Sequence, residues 1–427
     1  MSEYIKLLKD SFTIAYEAAR AQHVIKDFIP QKPKGRLIVI GAGKASADMA
    51  SAFEQHYHGA LEGIIVTRYG HSKPTKHIDI LEASHPIPDK AGVRAVEKIT
   101  SLLQSATDKD HIICLISGGG SALLSAPIDG INFKELQSLN RELLKSGAPI
   151  QDINVIRKHV NKALGGKLAS YAPNTPFDTL AISDVTGDDP SIIASGATVP
   201  DPSTLSDALT IIKKHNINAP SAVIDALKNS KNETPKPNNT IFKNKSYQLI
   251  ATPIKSLNAA QSFFESEGLD VELLDSEMQG DTNECAAKHT KIICSIYNGS
   301  SKITAPKDKP LILISGGETT VKIKGDGLGG PNTQFMLQAA LLLDKHNLPV
   351  YGIACDTDGT DGTGDNAGAF ITPETIRSAQ KQNLDAEEYL NNNDAYHFFK
   401  SIDALIKTGP TYTNVNDYRA FILLPQS

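Results

Sequence analysis

Short apolar segments alternate with segments of helical periodicity along most of the 427-residue chain, and this alternation limits the possible folds more than any other feature. Runs of this length that are β-branched and end in Gly or Asp are typical of buried parallel strands, and the segments between them can cross over as helices. The pattern predicts an α/β fold with an open sheet in each half of the chain. The expected strands lie at residues 36–43, 63–67, 112–120, 178–184, 247–252, 270–275, 311–318, 319–323 and 350–359.

Two domains are expected, because the chain is much longer than the ~100–200 residues of a typical domain. The best boundary is the segment Lys228–Thr240, which is polar, contains two prolines and has no apolar period. Such a composition is typical of a surface linker or loop. We therefore predict one α/β domain over residues 1–240 and a second over residues 241–427.

The composition argues against several classes of function. A net charge of -5 without a long basic run gives no electrostatic footprint for nucleic acid or an anionic membrane. The four cysteines form no C-x-x-C pair, so a metal or redox cysteine site is not expected. Residues 1–25 have the pattern of an amphipathic helix rather than a signal peptide, and no apolar stretch approaches the ~18 residues of a membrane span. These features predict a cytoplasmic protein.

A Gly-x-Gly-Lys turn, Gly41–Lys44, follows the first expected strand and precedes a helix, an arrangement that lets a backbone approach an anion. The turn departs from the dinucleotide fingerprint, because Ser46 replaces the third glycine and the second strand ends at Thr67 and Arg68 without an acidic residue. Arg68 could instead meet the extra phosphate of NADP, so an NAD(P)H-dependent reductase stays open. The Walker A spacing is also absent. Lys44 is either a phosphate-binding cation or a solvated lysine in a turn.

Three acids, Asp184, Asp188 and Asp189, follow the strand at 178–184 within six positions. Like charges crowd there at a cost, and Mg²⁺ bound by one or two carboxylates is a usual reason. Asp189 also fits a helix cap before Pro190. Asp184 lies directly at the strand end and is the stronger catalytic candidate.

A second acidic segment contains Asp356, Asp358, Asp361 and Asp365 among glycines after another strand. It partly matches a calcium loop, but Ala367 stands where the closing Glu belongs and no helix precedes it. The segment is better explained as a loop that offers polar groups to an anionic substrate, a nucleotide or Mg²⁺.

Further polar signals follow other strands. Ser-Gly-Gly occurs at Ser117 and again at Ser315, each time at the end of an apolar run. His85 lies in the loop Ala83–Asp89, where the alternative to substrate contact is a structural histidine. The segment Thr408–Arg419 is polar and rich in turn residues, and we expect an ordered loop there.

One helix carries three cations, Arg157, Lys158 and Lys162. The group is either a solvated basic face or includes an arginine that binds a carboxylate through two hydrogen bonds. Polar, glycine-rich loops thus follow at least four strands in both halves of the chain. Together they predict a cleft between the domains that binds an anion.

The chain resembles the class II glycerate kinases over nearly its whole length. The motifs that carry the resemblance are, in order, GAGKAS, SGGGSALL, NVIRKH with GGKLA, ISDVTGDDPSIIASG with PDPST, SGGETTVKIKGDGLGGPN, DTDGTDGTGDNAGA and TGPTYTNVND. The resemblance implies two α/β/α domains, a Rossmann-like N-terminal one and a smaller C-terminal MOFRL-type one, with the active site in the cleft. It implies phosphorylation of D-glycerate, or a closely related hydroxy acid, at the 2-hydroxyl by ATP and Mg²⁺. Some members carry the label hydroxypyruvate reductase.

The resemblance also implies roles for individual residues. Catalysis would rest on Lys44, Asp184 and Asp188, with Mg²⁺ bound by the two aspartates. The substrate would be bound by Gly43, Ser84, His85, Ser117, Gly118, Gly119, Gly120, Ser121 and Arg157. The nucleotide would be bound by Ser315, Gly316, Gly317, Glu318, Asn332, Asp358, Gly359 and Asp361. The expected partners are the hydroxy acid and ATP, possibly a second copy in a homodimer, and neither nucleic acid nor membrane.

One position departs from the family pattern. Where members read Gly-Gly-Arg-Asn, this chain reads Gly329-Gly330-Pro331-Asn332. Proline lacks the rigid cationic fork that suits a carboxylate or phosphate. Either another cation substitutes, with Lys322, Lys324 and Lys167 as candidates, or the acceptor acid differs from glycerate. A reductase and a non-catalytic regulator are the rival functions.

Overall fold

Two large β-sheets organise the chain, and each lies in its own unit of the structure, a computed structural model that describes residues 3–426. The N-terminal unit holds residues 21–250. The C-terminal unit holds residues 251–426 together with helix α1 (Glu3–Glu17). The expected domains are 1–240 and 241–427. The N-terminal unit instead begins at residue 21 and ends at residue 250.

Helix α1 belongs to the C-terminal unit because its apolar side is buried there. Leu8, Phe12 and Ala15 lie in the core of that unit, and the Tyr418 hydroxyl donates to Ser11 Oγ at 2.8 Å. The sequence predicts an amphipathic helix here, but local periodicity does not say which sheet the helix covers.

The polar segment Lys228–Thr240 is held by the N-terminal unit instead of linking two domains. Its Glu233 carboxylate lies 2.9 Å from Nε2 of His159, which is fully buried. The chain then enters strand β6 (Lys245–Ala251), which joins the sheet of the N-terminal unit. The unit therefore ends near residue 250.

The N-terminal sheet has the strand order β3-β2-β1-β4-β5-β6, and β1 to β5 are parallel. Every residue of β1 is buried, as expected for a central strand with helices on both faces. The sequence analysis missed β3, an edge strand in which Asp79 and Glu82 interrupt the apolar run. The strands before β6 are β1 (Leu37–Ala42), β2 (Leu61–Arg68), β3 (Ile78–Ala83), β4 (His111–Ile116) and β5 (Phe177–Ile182).

The helices of the N-terminal unit begin at good caps. Asp89 accepts hydrogen bonds from the N–H groups of Ala91 and Gly92 at the start of α4, a stabilising arrangement for a helix N-terminus. The helices are α2 (Ala21–Val24), α3 (Ser46–His56), α4 (Lys90–Gln104), α5 (Gly120–Leu123), α6 (Phe133–Lys145), α7 (Ile150–Val160), α8 (Lys167–Ser170), α9 (Leu205–Lys214) and α10 (Ser221–Lys228), with 3₁₀ turns at Ile25–Phe28, Ile193–Gly196, Ser230–Asn232 and Thr240–Phe242.

The C-terminal sheet has the order β13-β12-β11-β14-β9-β7 and is mixed. Only β7 and β9 pair in parallel, whereas β14 is antiparallel to both β9 and β11. The expectation of parallel strands is confirmed for β7 with β9 and wrong for the rest of this sheet, where β14, partly in the segment expected to be a loop, is antiparallel to both its neighbours. The strands are β7 (Asp270–Asp275), β8 (Gln279–Asp281), β9 (Leu311–Ser315), β10 (Glu318–Thr320), β11 (Val350–Asp356), β12 (Gly368–Ile371), β13 (Leu405–Ile406) and β14 (Asp417–Leu423).

The most buried helix of the C-terminal unit is α13, whose side chains from Asn332 to Leu337 are all buried. No helix within residues 3–426 has the length and apolar character of a membrane span. The helices after α10 are α11 (Pro253–Ser266), α12 (Thr282–Tyr297), α13 (Pro331–Lys345), α14 (Thr375–Gln380), α15 (Ala386–Asn391) and α16 (Ala395–Ser401).

Glu233 predicts an acid-sensitive contribution to stability. Burial alone would raise the pKa of its carboxyl, but hydrogen bonds from Lys236, two backbone N–H groups and His159 lower it to about 2. A lowered pKa stabilises the fold above the unfolded value near 4.5, and this stabilisation is lost as pH falls toward 2. Because the side chain is partly exposed, we expect the difference in free energy of unfolding between wild type and Glu233→Gln to shrink by about 1 kcal/mol from pH 7 to pH 3. Chemical denaturation at both pH values measures this difference.

Replacing the exposed Glu97 with Gln is the control for the Glu233 prediction. A pH-independent difference for Glu233→Gln would contradict the account.

Candidate active site

The strand order of the N-terminal sheet reverses between β1 and β4, which lie side by side. Open parallel sheets bind ligands outside the carboxyl ends of their strands at such a reversal. The candidate residues of this unit, apart from Arg157 on α7, follow strands at this edge: Gly43 and Lys44 after β1, Ser84 and His85 after β3, Ser117–Ser121 after β4, and Asp184 and Asp188 after β5.

Three of these side chains converge on the glycines of the loop after β4. The Lys44 N–H donates to the carbonyl of Gly118 at 2.8 Å. A methyl group added at Gly119 would lie 3.1 Å from His85 Nε2 and 3.4 Å from Lys44 Cγ. One added at Gly118 would lie 1.9 Å from Asp184 Oδ2. Glycine is needed at both positions, because a larger residue would displace the side chains that meet there.

The Gly-x-Gly-Lys turn uses its backbone donors internally. The Gly43 N–H donates to Val66 O at 3.1 Å, the Ala45 N–H donates to Ser117 Oγ at 3.0 Å, and the Lys44 N–H is taken by the β4 loop. A dinucleotide fingerprint needs such donors for the pyrophosphate. These bonds argue against a dinucleotide-binding role for the turn.

The loop after β4 leaves two backbone donors open. The Ser46 hydroxyl donates to Leu115 O at 3.0 Å. Ser46 Oγ can therefore only accept from Ser117, whose hydroxyl donates to it at 3.2 Å. Ser117 is fully buried and shapes the loop from inside. Within residues 3–426, no acceptor pairs with the N–H of Gly118 or Gly119. These two consecutive donors can bind an anion.

The last two residues of this loop pack on the 3₁₀ turn after β5. A methyl group at Gly120 would lie 2.7 Å from Ala194 Cβ. Ser121 Oγ lies 2.7 Å from Ser195 Oγ, which donates to Asn154 Oδ1 at 3.2 Å. The Ser121 proton is thus committed to Ser195, and Ser121 can only accept from a ligand.

Positive charges surround His85. Its pKa is lowered to about 4, first by burial and then by the charges of Lys44, Arg68, His71 and Arg157. His85 is therefore neutral at pH 7, in a positive field that favours anions. Its neighbour Ser84 uses its backbone N–H on the capping carboxylate of Asp89.

The carboxylates after β5 have the features of a cation site. Asp188 has a left-handed backbone (φ 54°), and its Oδ1 is buried without a hydrogen-bond partner within residues 3–426. A buried carboxylate oxygen without a donor is costly and calls for a ligand. Asp188 Oδ1 is therefore a candidate ligand for the expected Mg²⁺, which takes one or two protein carboxylates and completes its shell with phosphate oxygens and water. Asp189 instead accepts the Ser191 N–H at 2.8 Å, as a capping aspartate does.

In the C-terminal unit, the Ser315 side chain is turned into the protein. Burial and then the charge of Arg419 lower the pKa of His289 to about 4, so this histidine is neutral. Its Nδ1 pairs with Cys285 O at 3.2 Å, which leaves Nε2 to accept the Ser315 proton at 2.8 Å. The Ser315 hydroxyl therefore has no proton left for a phosphate.

The rest of the Ser315–Glu318 loop is also held from inside. The N–H groups of Gly316 and Glu318 donate to the carbonyls of Asp275 and Met278. Gly317 has φ 95°, and a methyl group there would lie 2.2 Å from Met278 O. The Glu318 side chain is exposed. This loop can meet a ligand through Gly317 and Glu318 but not through the serine.

Asp361 holds the start of α13. Its carboxylate accepts hydrogen bonds from the backbone N–H groups of Asn332 and Thr333 at 2.8 Å each and from the Thr333 hydroxyl at 2.7 Å. It is 1% exposed, and burial raises its pKa to about 6. These contacts argue for a structural role in place of the expected nucleotide contact.

Asp358 and Gly359 form a turn after β11. Asp358 accepts the Thr360 N–H at 2.8 Å. Gly359 has φ 90°, and a methyl group there would lie 2.1 Å from Gly409 O, so only glycine fits. Asp358 thus shapes a turn and Asp361 a helix start, whereas Asp365 accepts from the Tyr396 hydroxyl and from Lys407 at 2.8 Å each.

The sequence analysis missed a buried ion pair between Asp417 and Arg419 of β14. Arg419 is fully buried and donates to Gly316 O at 3.0 Å, while Asp417 accepts from Asn332 Nδ2 at 2.7 Å. The pair therefore ties the Ser315–Glu318 loop to the start of α13. The sequence contains a signal for this pair, because the two opposite charges lie two positions apart in an otherwise apolar run. Side chains at that spacing lie on one face of a strand and can contact each other.

Pro331 is the first residue of α13, a position that proline favours. Its carbonyl accepts the Thr282 hydroxyl at 3.0 Å. Of the suggested substitute cations, Lys167 donates to the backbone carbonyls of Lys158 and Asn161 at the end of α7 and is not available. Lys322 and Lys324 are exposed.

Two family models match the chain. A domain of unknown function, DUF4147, matches residues 7–228, which is just over half of the sequence, and the MOFRL family matches residues 311–417. These matches coincide with the motifs on which the resemblance in the sequence depends.

Relatives match the chain along nearly its whole length. A putative hydroxypyruvate reductase of Agrobacterium vitis is 39% identical, with 98% of this chain and 94% of the relative covered. A D-glycerate 2-kinase of Thermotoga maritima is 35% identical, with 97% and 96% covered. The crystal structure of a glycerate kinase from Thermotoga maritima superposes with a TM-score of 0.90 at 33% identity, with 99% of this chain and 100% of that chain covered. With both models matched in order, the chain belongs to the class II glycerate kinase family, in which a DUF4147 domain is joined to a MOFRL domain.

Proposed function

We propose that the protein transfers the terminal phosphoryl group of ATP to the 2-hydroxyl of D-glycerate, with Mg²⁺ as the metal. The observation that carries the proposal is the grouping of Lys44 with the open N–H groups of Gly118 and Gly119 and with the Asp184 carboxylate. Phosphoryl transfer needs little covalent chemistry from the protein and depends on positioning and charge neutralisation. The two N–H donors can position the phosphoryl group, and the Lys44 cation can neutralise its charge beside the Asp184 carboxylate.

The residues divide the work as follows. Asp184 and Asp188 would hold the Mg²⁺, which neutralises phosphate charge when bound. Lys44 stabilises the negative charge that develops on the transferred group, and the Gly118 and Gly119 N–H groups orient its oxygens. Neutral His85 lies beside them and can hydrogen-bond a substrate hydroxyl. Ser117, Gly43 and Gly120 keep the loop in this shape.

In the C-terminal unit, the proposed nucleotide contacts are Gly317, Glu318 and the loop at Asp358. Arg419, Asp417 and Asp361 support them by fixing the loop backbone and the start of α13. That both units contribute to one site stays a prediction from the sequence. A homodimer and a cytoplasmic location stay predictions as well.

A direct assay separates the proposed kinase from the rival functions. The purified protein is incubated with D-glycerate and either Mg-ATP or NAD(P)⁺, and ADP and reduced cofactor are followed. We expect ADP formation that depends on D-glycerate and on Mg²⁺. We expect no reduced cofactor, because the backbone N–H groups of Gly43 and Lys44 already donate to carbonyls of the protein. Reduced cofactor without ADP would favour the reductase, and neither product would favour a regulator.

Pro331 gives a prediction about the acceptor acid. Replacing it with Arg is expected to raise kcat/KM for D-glycerate relative to C4 hydroxy acids about ten- to hundredfold, the effect of one charge-assisted contact. The exchange should leave α13 intact, because Asp361 holds the Asn332 and Thr333 N–H groups. The measurement is kcat/KM for a panel of C3 and C4 hydroxy acids with both proteins. An unchanged panel, with wild type already preferring D-glycerate, would place residue 331 outside the substrate contacts.

A further inference from the structure

The three cations around α7 have different surroundings. Lys158 is buried and lies 3.4 Å from Asp201, and half-buried Lys162 lies 2.8 Å from exposed Asp129. Arg157 is half-buried, yet no carboxylate within residues 3–426 lies within ion-pair distance of it. A partly buried cation without a counter-charge is costly. Arg157 therefore has a charge to offer an anion.

The Arg157 guanidinium is held in one orientation. Its Nε donates to Asn140 Oδ1 at 3.3 Å, and Asn140 is fixed in turn because its Nδ2 donates to Leu136 O at 3.1 Å. Neither terminal nitrogen of Arg157 finds an acceptor within the described part of the chain. These two nitrogens form the planar fork that suits a carboxylate.

A small pocket lies beside this guanidinium, with a volume of about 20 Å³, enough for the oxygens of one carboxylate. Among the described residues, no acidic side chain lines it, and apolar side chains alternate there with Ser121, Ser125 and Asn140. Asn161 also lines it, and because Asn161 Oδ1 accepts the Ala163 N–H at 2.8 Å, its Nδ2 is the group left to donate. The lining residues that carry the argument are Arg157, Ser125, Asn161, Pro86, Leu139 and Leu164.

We propose that this Arg157 pocket binds the carboxylate of the acceptor substrate, so that Arg157 selects small hydroxy acids over neutral polyols. The inference rests on the proposed function and adds which group of the substrate is recognised and where. Pro86, next to His85, and Ser121 of the β4 loop line this pocket, so an acid held by Arg157 lies beside both. The pocket offers the fork and Asn161 Nδ2 to one carboxylate and has little room for a second charged group.

Calorimetric titration of D-glycerate without nucleotide tests the pocket. We expect Arg157→Met to weaken binding about ten- to hundredfold, and Arg157→Lys to weaken it less, because lysine keeps the charge but loses the fork. The matched control Lys162→Met should bind as wild type does. Asn161→Asp keeps the acceptor for Ala163 and puts a carboxylate opposite Arg157, so it should abolish D-glycerate binding while raising the melting temperature.

A kinase assay on the same variants separates this inference from the proposed function. Wild type should phosphorylate D-glycerate and not glycerol, and Arg157→Met should raise KM for D-glycerate with KM for ATP unchanged. Unaltered D-glycerate binding and KM in folded Arg157→Met and Asn161→Asp would overturn the pocket while leaving the kinase intact. Binding that depends on Arg157 without any ADP formation would support the pocket and reject the kinase.

Discussion

Replacing Lys44 with Met is expected to lower kcat for D-glycerate at least about a hundredfold, the usual cost of removing one group that stabilises transition-state charge. Lys44 lies next to the open N–H groups of Gly118 and Gly119, and its charge helps to lower the pKa of His85. Methionine keeps most of the aliphatic stem that packs against Gly119, so the fold should persist. The measurement is the rate of ADP formation at saturating substrates, with thermal unfolding as the check on folding.

Lys162→Met is the matched control, because Lys162 lies in the same unit and pairs with exposed Asp129. Its kcat should equal that of wild type. Equal turnover of Lys44→Met and wild type would return Lys44 to the alternative of a solvated lysine in a turn.

Replacing Gly118 with Ala is expected to lower kcat about a hundredfold, the cost of displacing a reacting group by about 1 Å. The added methyl would lie 1.9 Å from Asp184 Oδ2 and must push the carboxylate away. The backbone of Gly118 is not in the left-handed region, so alanine brings no conformational strain of its own. Steady-state kinetics at several Mg²⁺ concentrations should also show a higher Mg²⁺ requirement.

A double-mutant cycle isolates this effect. In an Asp184→Ala background the methyl group has no carboxylate to displace, so Gly118→Ala should change the residual kcat by less than about twofold. The same large loss in both backgrounds would show that the methyl group acts through something other than Asp184.

The N-terminal sheet could be predicted largely from sequence because its central strands are uninterrupted apolar runs. The α/β class is confirmed, and β1, β4 and β5 lie where periodicity puts them. The C-terminal sheet could not be predicted in the same way. Its central strand β14 carries Asp417 and Arg419, whose charges are tolerated in the core because they pair with each other and bond Asn332 and the Gly316 carbonyl. The local pattern shows the two opposite charges but not these partners, which are distant in sequence.

The candidate site could be predicted as a set of loops but not as a set of contacts. Periodicity and strand ends indicate Lys44, Asp184 and the glycine loops. They do not say that the hydroxyls of Ser117 and Ser315 point inward, because each bonds a residue distant in sequence. The sequence also does not show that the N–H groups of Gly118 and Gly119 are open. An N–H group can be called unpaired only when the positions of all possible acceptors are known.

The phosphorus-31 NMR spectrum of the products from D-glycerate and Mg-ATP tests the central claim most directly. It reports both whether a phosphoryl group moves and which hydroxyl receives it. We predict ADP and 2-phosphoglycerate in equal amounts with wild type, and neither above background with Lys44→Met. Accumulation of 3-phosphoglycerate in place of the 2-isomer, or release of inorganic phosphate alone, would contradict the account.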